Sequence, residues 1–583
     1  MEDELRETHF AALIVGTGLT QSITAAALAA IGIPIIHIDE HASYGGPHAS
    51  LALSDLADRG LSPGSEPTAE VLARSRQYAL SLAPHLIPAT GPFVAALVNS
   101  GVARYGSFVL PKRVAMAVGD ADARSFKSVP SSKQDVFRDR DVSLVQKRRL
   151  IKFLMFASGD FEGSAELGGH EQTPLLQFLQ DKFSLATDLA DALAYAIAFC
   201  TSPHDPTLPA LIRTRNYLRS VGRYGPSPFL IGHYGGAGEL AQGFCRTCAV
   251  RGGTYVLGRK VLSITRVDGQ EGGREASEAT HRTHVTTSGA QISSYHPPST
   301  FESYGTEGID IPPSTEEPPP SANPDAAPSS APPTGPLFRI QLEGFAAPFT
   351  ASTIVGPEDW LRRALDNPQP GPQEPKYTKT VRGILVINSP QTFALDTGAS
   401  EQPSADPDAD ADLDADSTGD GPVLSRLDET LLVFPPSSGL GSEGVVTVLA
   451  NGSATMSCPD GKCILYFTGQ TASLEASPKD HLAPYVKAVL DSCTPRPSVH
   501  FELFYREQEV ARISVRKAGA TAIPEGTGEL EYTSMHLTEG ADAAVQEAER
   551  AFWEVVKKQP GEGVGGVEFF ARIAGEDEGL DDF

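Results

Sequence analysis

Apolar runs and glycine-rich turns alternate at the start of the chain, a pattern typical of strand, tight turn and helix. Residues 9–15 form an apolar run that predicts a buried strand, and Gly16 and Gly18 follow it directly. A second apolar run, 33–39, ends in Asp39, about 20 residues after the glycines, which is the spacing found in dinucleotide-binding folds. The pattern predicts a Rossmann-type βαβ unit.

The glycine loop of this unit lacks one of its usual residues. In G-x-G-x-x-G, the first two glycines let the backbone approach a pyrophosphate, and the third allows the helix to pack closely on the strand. Gly16 and Gly18 occupy the first two positions, but Gln21 occupies the third. We therefore expect a degenerate nucleotide loop, in which the βαβ frame is present without a working cofactor site.

A long segment in the first half of the chain has helical periodicity. Ser143 and Gln146 match a capping box that begins one helix, and Pro174 is expected at the first position of another. The first of these helices is predicted to be amphipathic, with an apolar stripe formed by Leu144, Ile151, Leu154 and Met155. Two more helices are predicted over 185–200 and 209–220. Together they indicate a small all-helical domain inserted into an α/β domain.

The predicted fold class is α/β (α+β), with a large discontinuous Rossmann-type domain and the smaller inserted all-helical domain. Two segments contain too few apolar residues to offset the entropy of ordering, one of them proline-rich and one acidic. In chain order, the predicted units are the large domain (1–128), the helical domain (129–225), the large domain again (226–267), a disordered proline-rich insertion (268–335), the large domain (336–390), a disordered acidic insertion (391–425), the large domain (426–570) and an acidic tail (571–583). Short strands of the large domain are predicted at 254–257, 261–267, 337–342, 383–387, 431–434 and 463–467, and a helix near 541–557.

Charge excludes several classes of function. The 583-residue chain has a formal net charge of −26 and lacks the clustered Lys and Arg that a nucleic-acid surface needs. The acidic run from Asp406 to Asp416 could suggest a calcium loop, but Ala411 and Ser417 occupy the positions of the required glycine and glutamate. We expect no nucleic-acid partner and no metal site.

Cysteine content and hydropathy indicate the compartment. Six cysteines without framework spacing favour free thiols in a reducing environment. Cys245 and Cys248 form a C-x-x-C without a second pair, so we expect buried, unpaired helix cysteines rather than a zinc site. The acidic N-terminus does not resemble a signal peptide, and the apolar run 25–38 is interrupted by Gly32 and Pro34 and is too short to span a bilayer. A soluble, cytoplasmic protein is predicted.

The most densely patterned stretch runs from Arg223 to Tyr255 and combines glycines and aromatic residues with Glu239 and Arg246. Glu239 and Arg246 are seven residues apart, so on a helix both project from one side, two turns apart. Such a pair is either part of a binding surface or an ordinary solvated pair worth less than about 1 kcal/mol. Spacing alone leaves both interpretations open.

Four motifs, in this order, resemble the superfamily of Rab GDP-dissociation inhibitors and Rab escort proteins. They are Gly16-Thr-Gly-Leu-Thr20, Tyr44-Gly-Gly46, Tyr234-Gly-Gly-Ala-Gly-Glu-Leu-Ala-Gln-Gly-Phe-Cys-Arg246 and Gly252-Gly-Thr-Tyr255. The resemblance covers nearly all of the chain outside the two predicted insertions. It implies a large FAD-oxidase-like domain and a smaller helical domain, which bind GDP-loaded Rab GTPases without redox chemistry. Members carry a non-glycine residue at the position of Gln21, so FAD is not expected.

The resemblance also implies roles for individual residues. The Rab-binding platform maps onto Tyr44, Glu239, Arg246 and Val256. The last of these stands where the family often has methionine. A tyrosine, an arginine fork and an acid suit a mixed-charge protein surface. Phe108 and Val109 resemble the region that holds the C-terminal tail of the Rab, although burial in the core would explain both residues equally well.

Two features favour the escort branch of the superfamily. Phe137 and Arg148 resemble the residues that dock the helical domain on the α subunit of Rab geranylgeranyltransferase, although Phe137 taken alone would more often be a core residue. Inhibitors are also more compact and lack an insertion as long as 268–335. The leading hypothesis is a non-catalytic component A, which binds Rab-GDP and presents it to the transferase αβ heterodimer for geranylgeranylation. It would then shelter the geranylgeranyl lipid and deliver the prenylated Rab transiently to membranes.

Two other functions are weighed against this hypothesis. A Rab GDP-dissociation inhibitor would recycle Rabs that are already prenylated. A flavin oxidoreductase would need bound FAD, which Gln21 in the helix-packing position disfavours.

Overall fold

The computed structural model describes residue 5 and residues 8–119, 125–129, 142–267, 335–366, 376–396, 423–519, 536–556 and 567–570. Most of the two predicted insertions, the whole acidic tail and Phe137 lie outside these described residues. The domain boundaries therefore stay a prediction.

The described residues form helices and strands in the following order. The α-helices are α1 (Leu19–Ala30), α2 (Ala69–Ala73), α3 (Pro92–Ser100), α4 (Leu144–Ser158), α5 (Leu175–Phe183), α6 (Thr187–Ala192), α7 (Thr207–Ser220), α8 (Ala237–Val250), α9 (Glu358–Leu361), α10 (Pro478–Ser492) and α11 (Gly540–Val556). The strands are β1 (His9–Val15), β2 (Ile35–Asp39), β3 (Ser50–Leu51), β4 (Leu80–Ser81), β5 (Ile87–Pro88), β6 (Phe108–Val109), β7 (Arg113–Val118), β8 (Ser125–Ser128), β9 (Phe229–Gly232), β10 (Thr254–Leu257), β11 (Val261–Val267), β12 (Leu337–Leu342), β13 (Phe349–Pro357), β14 (Tyr377–Asn388), β15 (Thr392–Asp396), β16 (Val423–Arg426), β17 (Thr430–Phe434), β18 (Val446–Asn451), β19 (Lys462–Gln470), β20 (Cys493–Thr494), β21 (Val499–Gln508) and β22 (Ile513–Lys517).

A seven-stranded sheet contains the βαβ unit. Its strand order is β10-β2-β1-β13-β12-β11, and β22 also pairs with β13. The neighbours β10, β2, β1 and β13 are parallel, as a Rossmann-type frame requires. Alternate residues of β1 pack into two separate apolar cores, with Ile14 in one and Leu13 in the other, which is why the strand is apolar throughout.

The second large sheet has ten strands. Its order is β16-β15-β8-β7-β17-β18-β19-β14-β21, with β20 paired to β15. The predicted strands at 383–387, 431–434 and 463–467 lie in β14, β17 and β19. One face packs on α10 through Leu482 and Tyr485, and the other faces the helices that follow β8. The predicted α/β fold class is confirmed.

Helices α4 to α7 form a helical unit against the ten-stranded sheet. Ser143 caps α4 as predicted, because its Oγ accepts a hydrogen bond from the Gln146 backbone N–H at 3.3 Å. The side chain of Gln146 does not close the capping box, since its Oε1 accepts from the backbone N–H of Ala186 at 3.1 Å. Pro174 is the N-cap of α5 rather than its first residue, so the helix begins one residue later than predicted.

The apolar stripe predicted for α4 is not its buried face. Phe153 and Leu150 are buried instead, and the Phe153 ring packs edge-on against Phe183, with centroids 5.2 Å apart. Leu144 and Met155 are 74% and 67% exposed. The prediction was wrong because the aromatic residues of α5 select the face that carries Phe153, so tertiary packing overrides the pattern of the helix alone.

Candidate protein-binding site

The glycine loop between β1 and α1 is filled by the protein itself. Gly16 has a φ of +87°, which glycine adopts without strain, and Gly18 is the N-cap of α1. The buried side chain of Gln21 folds back over this loop. A Cβ atom added to Gly18 would lie 2.7 Å from Gln21 Oε1. Gln21 therefore occupies space at the helix N-terminus, where a dinucleotide fold places its pyrophosphate.

Asp39 at the end of β2 is also satisfied internally. Its Oδ2 accepts from the backbone N–H and the hydroxyl of Thr17, both at 2.7 Å, and its Oδ1 accepts from the His41 backbone N–H at 2.9 Å. In a working dinucleotide site this acid would bind the ribose. Gln21 and the engaged Asp39 thus occupy both positions at which a dinucleotide fold would hold its cofactor.

A buried hydrogen-bonded chain connects this loop to the surface. His37 Nε2 donates to the Gly16 carbonyl at 2.6 Å, so Nδ1 accepts from the hydroxyl of Tyr255 at 3.2 Å. The ring of Tyr255 packs edge-on against Tyr44, with centroids 6.2 Å apart. Burial lowers the pKa of His37 from 6.5 to about 4, against smaller opposing effects of the Gly16 hydrogen bond and of Asp39. The neutral imidazole thus helps to position Tyr255, whose ring packs against Tyr44.

The pKa of His37 predicts an acid-sensitive contribution to stability. The unfolded imidazole takes up a proton near its ordinary pKa of 6.5, whereas the folded one does so only near about 4. The contribution of neutral His37 to the free energy of unfolding is complete above pH 6.5 and is lost as the pH falls toward 4. The change amounts to about 3 kcal/mol. In urea unfolding, the stability gap between wild type and His37→Gln should shrink by up to that amount from neutral to acidic pH. A gap independent of pH would contradict this.

Helix α8 presents the predicted platform residues Glu239 and Arg246, and both are exposed. The opposite side of α8 is buried, with Leu240 and Phe244 packed into the core that α1 also lines. Tyr44 is half-buried, and the residue after it packs on α8, since a Cβ atom added to Gly45 would lie 3.3 Å from Gly238 Cα. Tyr44 therefore lies close to the helix that carries Glu239 and Arg246.

Val256 does not lie on this surface. It is only 8% exposed and packs in the apolar core with Ile36 and Ile38 of the neighbouring strand. Its neighbour Tyr255 packs against the core that α8 lines, so the side chain of Val256 faces the opposite side of the sheet. Val256 is therefore separated from the platform by the sheet itself.

The two cysteines of the C-x-x-C are buried on α8 and free, as predicted. The Sγ atom of Cys245 lies 3.2 Å from the hydroxyl of Ser22 on α1. Burial raises the pKa of Cys245 to about 12 and that of Cys248 to about 11, so both stay protonated. Within the described ranges, no group of His, Cys, Asp and Glu side chains is arranged to hold a metal ion.

The predicted tail-binding residues Phe108 and Val109 form β6, which pairs with β9. Both are half-buried, and each also packs against an apolar core. Partial exposure leaves both interpretations of these residues open. Sequence reasoning missed Tyr105 in the same segment, although an exposed aromatic residue inside the resembling stretch was the signal that could have identified it.

Of the two predicted transferase-binding residues, the described residues include Arg148. It is exposed on α4, and Leu144, Val145 and Met155 are exposed on the same helix. Leu144 and Met155 of the predicted stripe therefore share the open side of the helical unit with Arg148, whereas Leu154 packs against the core. Exposed apolar residues beside an arginine have the composition of a protein interface.

The fold and the site together define a class: a protein with the frame of a dinucleotide enzyme whose nucleotide loop is closed by its own side chains. Residues 5–291 match the sequence family described as GDP dissociation inhibitor. The match covers about the first half of the chain, which is therefore similar to this family. No helix in the part of the chain that the structure describes is long and apolar enough to cross a membrane.

Curated relatives carry two different names. The chain is 34% identical over 295 residues to the Rab proteins geranylgeranyltransferase component A of Drosophila melanogaster, a match covering 45% of this chain and 55% of the relative. It is 32% identical over 266 residues to the Rab GDP-dissociation inhibitor of Saccharomyces cerevisiae, covering 44% and 57%. The matches thus span about half the length of these relatives.

A solved structure supports the fold over most of the chain. The crystal structure of a Rab GDI from Plasmodium falciparum aligns with a TM-score of 0.59 at 15% identity, and the alignment covers 95% of this chain and 99% of that one. At this identity the likeness concerns the fold alone. It agrees with the predicted combination of a large α/β domain and a smaller helical one.

Proposed function

We propose that this chain is a Rab escort protein, which binds GDP-bound Rab GTPases and presents them to Rab geranylgeranyltransferase. The observation that carries the proposal is the exposed platform of Tyr44, Glu239 and Arg246 around a nucleotide loop filled by Gln21. The names of the relatives, which include component A of that transferase, support it. The protein itself contributes binding and no catalytic residue, and it needs no FAD.

The platform suits recognition of a GTPase in its GDP form. The switch regions of a GTPase are ordered by the γ-phosphate and released after hydrolysis, so a partner that prefers the released form senses the nucleotide without touching it. The fork of Arg246 can bind a carboxylate of the switch surface through two parallel N–H bonds, and Glu239 can accept from a basic residue. An exposed surface with both charges therefore fits this partner.

The helical unit provides a shelter for the geranylgeranyl lipid in this proposal. At about 0.8 kcal/mol per buried CH₂, such a chain gains on the order of 10 kcal/mol by leaving water. The aromatic side chains between α4 and α5 lie within ring-contact distance of one another and comprise Phe153, Phe156, Phe178 and Phe183. Separation of α4 from α5 would open an apolar site among them. After transfer, the complex would travel through the cytosol and meet membranes only transiently.

We further propose that the exposed face of α4 docks on the transferase. The combined change Leu144→Ala and Arg148→Ala is expected to weaken transferase affinity by about tenfold or more, because it removes an apolar contact and a charged one from the same face. Binding of GDP-loaded Rab should be unchanged, since this face is separate from the platform. Surface plasmon resonance with immobilised transferase, and separately with immobilised GDP-loaded Rab, would measure the two affinities.

The matched control for this face is Leu474→Ala, because Leu474 is 54% exposed in a loop of the ten-stranded sheet. It should bind the transferase like wild type. Unchanged affinity of the doubly substituted α4 variant would remove the support for docking through this helix.

A Rab GDP-dissociation inhibitor is the second candidate function, and a relative of that name at 32% identity supports it. The two functions differ in their substrate complex. An escort protein assembles with unprenylated Rab and transferase, whereas an inhibitor extracts prenylated Rab from membranes. The exposed apolar residues around Arg148 favour the escort function, because an inhibitor has no transferase to bind.

Reconstitution tests the proposed function directly. Unprenylated Rab-GDP, geranylgeranyl diphosphate and the catalytic αβ heterodimer are combined with and without this chain, and incorporation of the lipid is followed by mass spectrometry. Prenylation that depends on the chain is the expected result. Prenylation at the same rate without it, together with extraction of prenylated Rab from vesicles, would identify the inhibitor function instead.

A further inference from the structure

Tyr105 lies against the guanidinium of Arg246. The guanidinium carbon is 4.6 Å from the ring centroid, and Tyr105 is 57% exposed. Among the described residues, no carboxylate lies within ion-pair distance of Arg246, so the stacked ring is the contact that orients it. A guanidinium stacked in this way keeps its N–H edges free for a carboxylate.

The segment that carries Tyr105 is fixed to α8 by close packing. A Cβ atom on Gly243 of α8 would lie 2.9 Å from Val102 Cγ1, so a side chain at Gly243 would push the segment away. A Cβ on Gly106 would lie 3.3 Å from the ring of Phe108 and 3.4 Å from Leu240 of α8. The core thus sets the position of Tyr105 relative to Arg246.

We propose that Tyr105 is a further recognition residue that joins the platform on α8 to the tail-binding residues Phe108 and Val109. The proposal rests on the proposed function, and the occupant is the GDP-bound Rab at the point where its tail leaves the folded domain. A carboxylate of the GTPase binds the fork of Arg246, and an apolar tail residue covers the free face of the Tyr105 ring. The stacked ring also holds Arg246 in its binding orientation, so Tyr105 acts partly as a positioning residue.

A double-mutant cycle with a fluorescently labelled, unprenylated, GDP-loaded Rab tests this role. Tyr105→Ala should weaken binding about three- to tenfold, whereas Tyr105→Phe should stay within about twofold, because the ring is retained. In the Arg246→Ala background, Tyr105→Ala should cost much less than in wild type, because the stacked partner is gone. Tyr377→Ala is the matched control, since Tyr377 is 43% exposed at the start of β14.

The outcomes separate this inference from the proposed function. Wild-type affinity of Tyr105→Ala would overturn the role of Tyr105, and fully additive losses in the double variant would overturn its positioning of Arg246. Both results would leave the proposed function intact. Equal losses of binding in Tyr105→Ala and Tyr105→Phe, together with a lowered unfolding midpoint, would also overturn the recognition role, because they would indicate a structural role for Tyr105. If wild type itself binds no GDP-loaded Rab, the proposed function fails first.

Discussion

Replacing Arg246 with alanine is expected to weaken binding to a GDP-loaded Rab GTPase by about a hundredfold, equivalent to about 2.7 kcal/mol. Arginines that bind a carboxylate through two N–H groups are frequent hot spots, and Arg246 is exposed, oriented by Tyr105 and without an ion-pair partner among the described residues. Arg246→Lys should recover only part of the affinity, because an ammonium group offers no planar fork. Fluorescence titration with Rab-GDP would measure the three affinities.

The control for this experiment is an arginine of similar exposure elsewhere. Arg496 is 61% exposed after β20 and pairs with Asp491, so Arg496→Ala removes a surface ion pair without touching the platform. It should bind like wild type. Unaltered binding by Arg246→Ala would show that the GTPase does not use this surface, whatever the outcome of the prenylation assay.

Replacing Glu507 with alanine is expected to cost about 3–5 kcal/mol of folding stability. Glu507 on β21 accepts from Arg382 Nε on β14 at 2.8 Å, and the two side chains are only 9% and 3% exposed. Arg382 also donates to Thr468 Oγ1 on β19 at 2.9 Å. Removal of the carboxylate takes the hydrogen bonds to Glu507 away from a buried guanidinium, beside a cavity of about 290 Å³. The urea midpoint of unfolding should fall accordingly.

Two variants show whether the cost comes from the loss of the negative charge. Glu507→Gln retains an oxygen acceptor and should lose less stability than Glu507→Ala. The combination of Glu507→Leu with Arg382→Met removes both charges and should recover most of the loss, because an apolar pair of similar volume replaces the ion pair. An equally large loss in the combined variant would show that packing, rather than charge, sets the cost.

The parts of the fold that were predicted correctly depend on local pattern. The strands at 254–257, 261–267 and 337–342 lie where the sequence predicts them, and the last helix differs by one residue at each end. Buried strands of this kind have short apolar runs bounded by turns, and the pattern is complete within a few residues. The frame around the nucleotide loop could therefore be predicted from the chain alone.

The parts that could not be predicted depend on contacts between distant residues. The buried face of α4 is selected by the aromatic residues of α5, and the depth of Val256 follows from its pairing with β2. The contact between Tyr105 and Arg246 joins residues that are far apart in sequence, and no periodicity connects them. Motif resemblance predicted Glu239 and Arg246, but only the packing of Gly45 against Gly238 shows that Tyr44 lies close to the same helix.

Because of the hydrogen bonds of Asp39, the folding of the nucleotide loop does not depend on a bound nucleotide. A protein whose loop needs a bound nucleotide gains stability from it by mass action, so its folded fraction follows the nucleotide concentration. Here Thr17 and His41 satisfy the carboxylate from within the chain. The empty form therefore needs no small ligand to stay folded at this loop, which suits a carrier that releases its cargo and must survive until the next round.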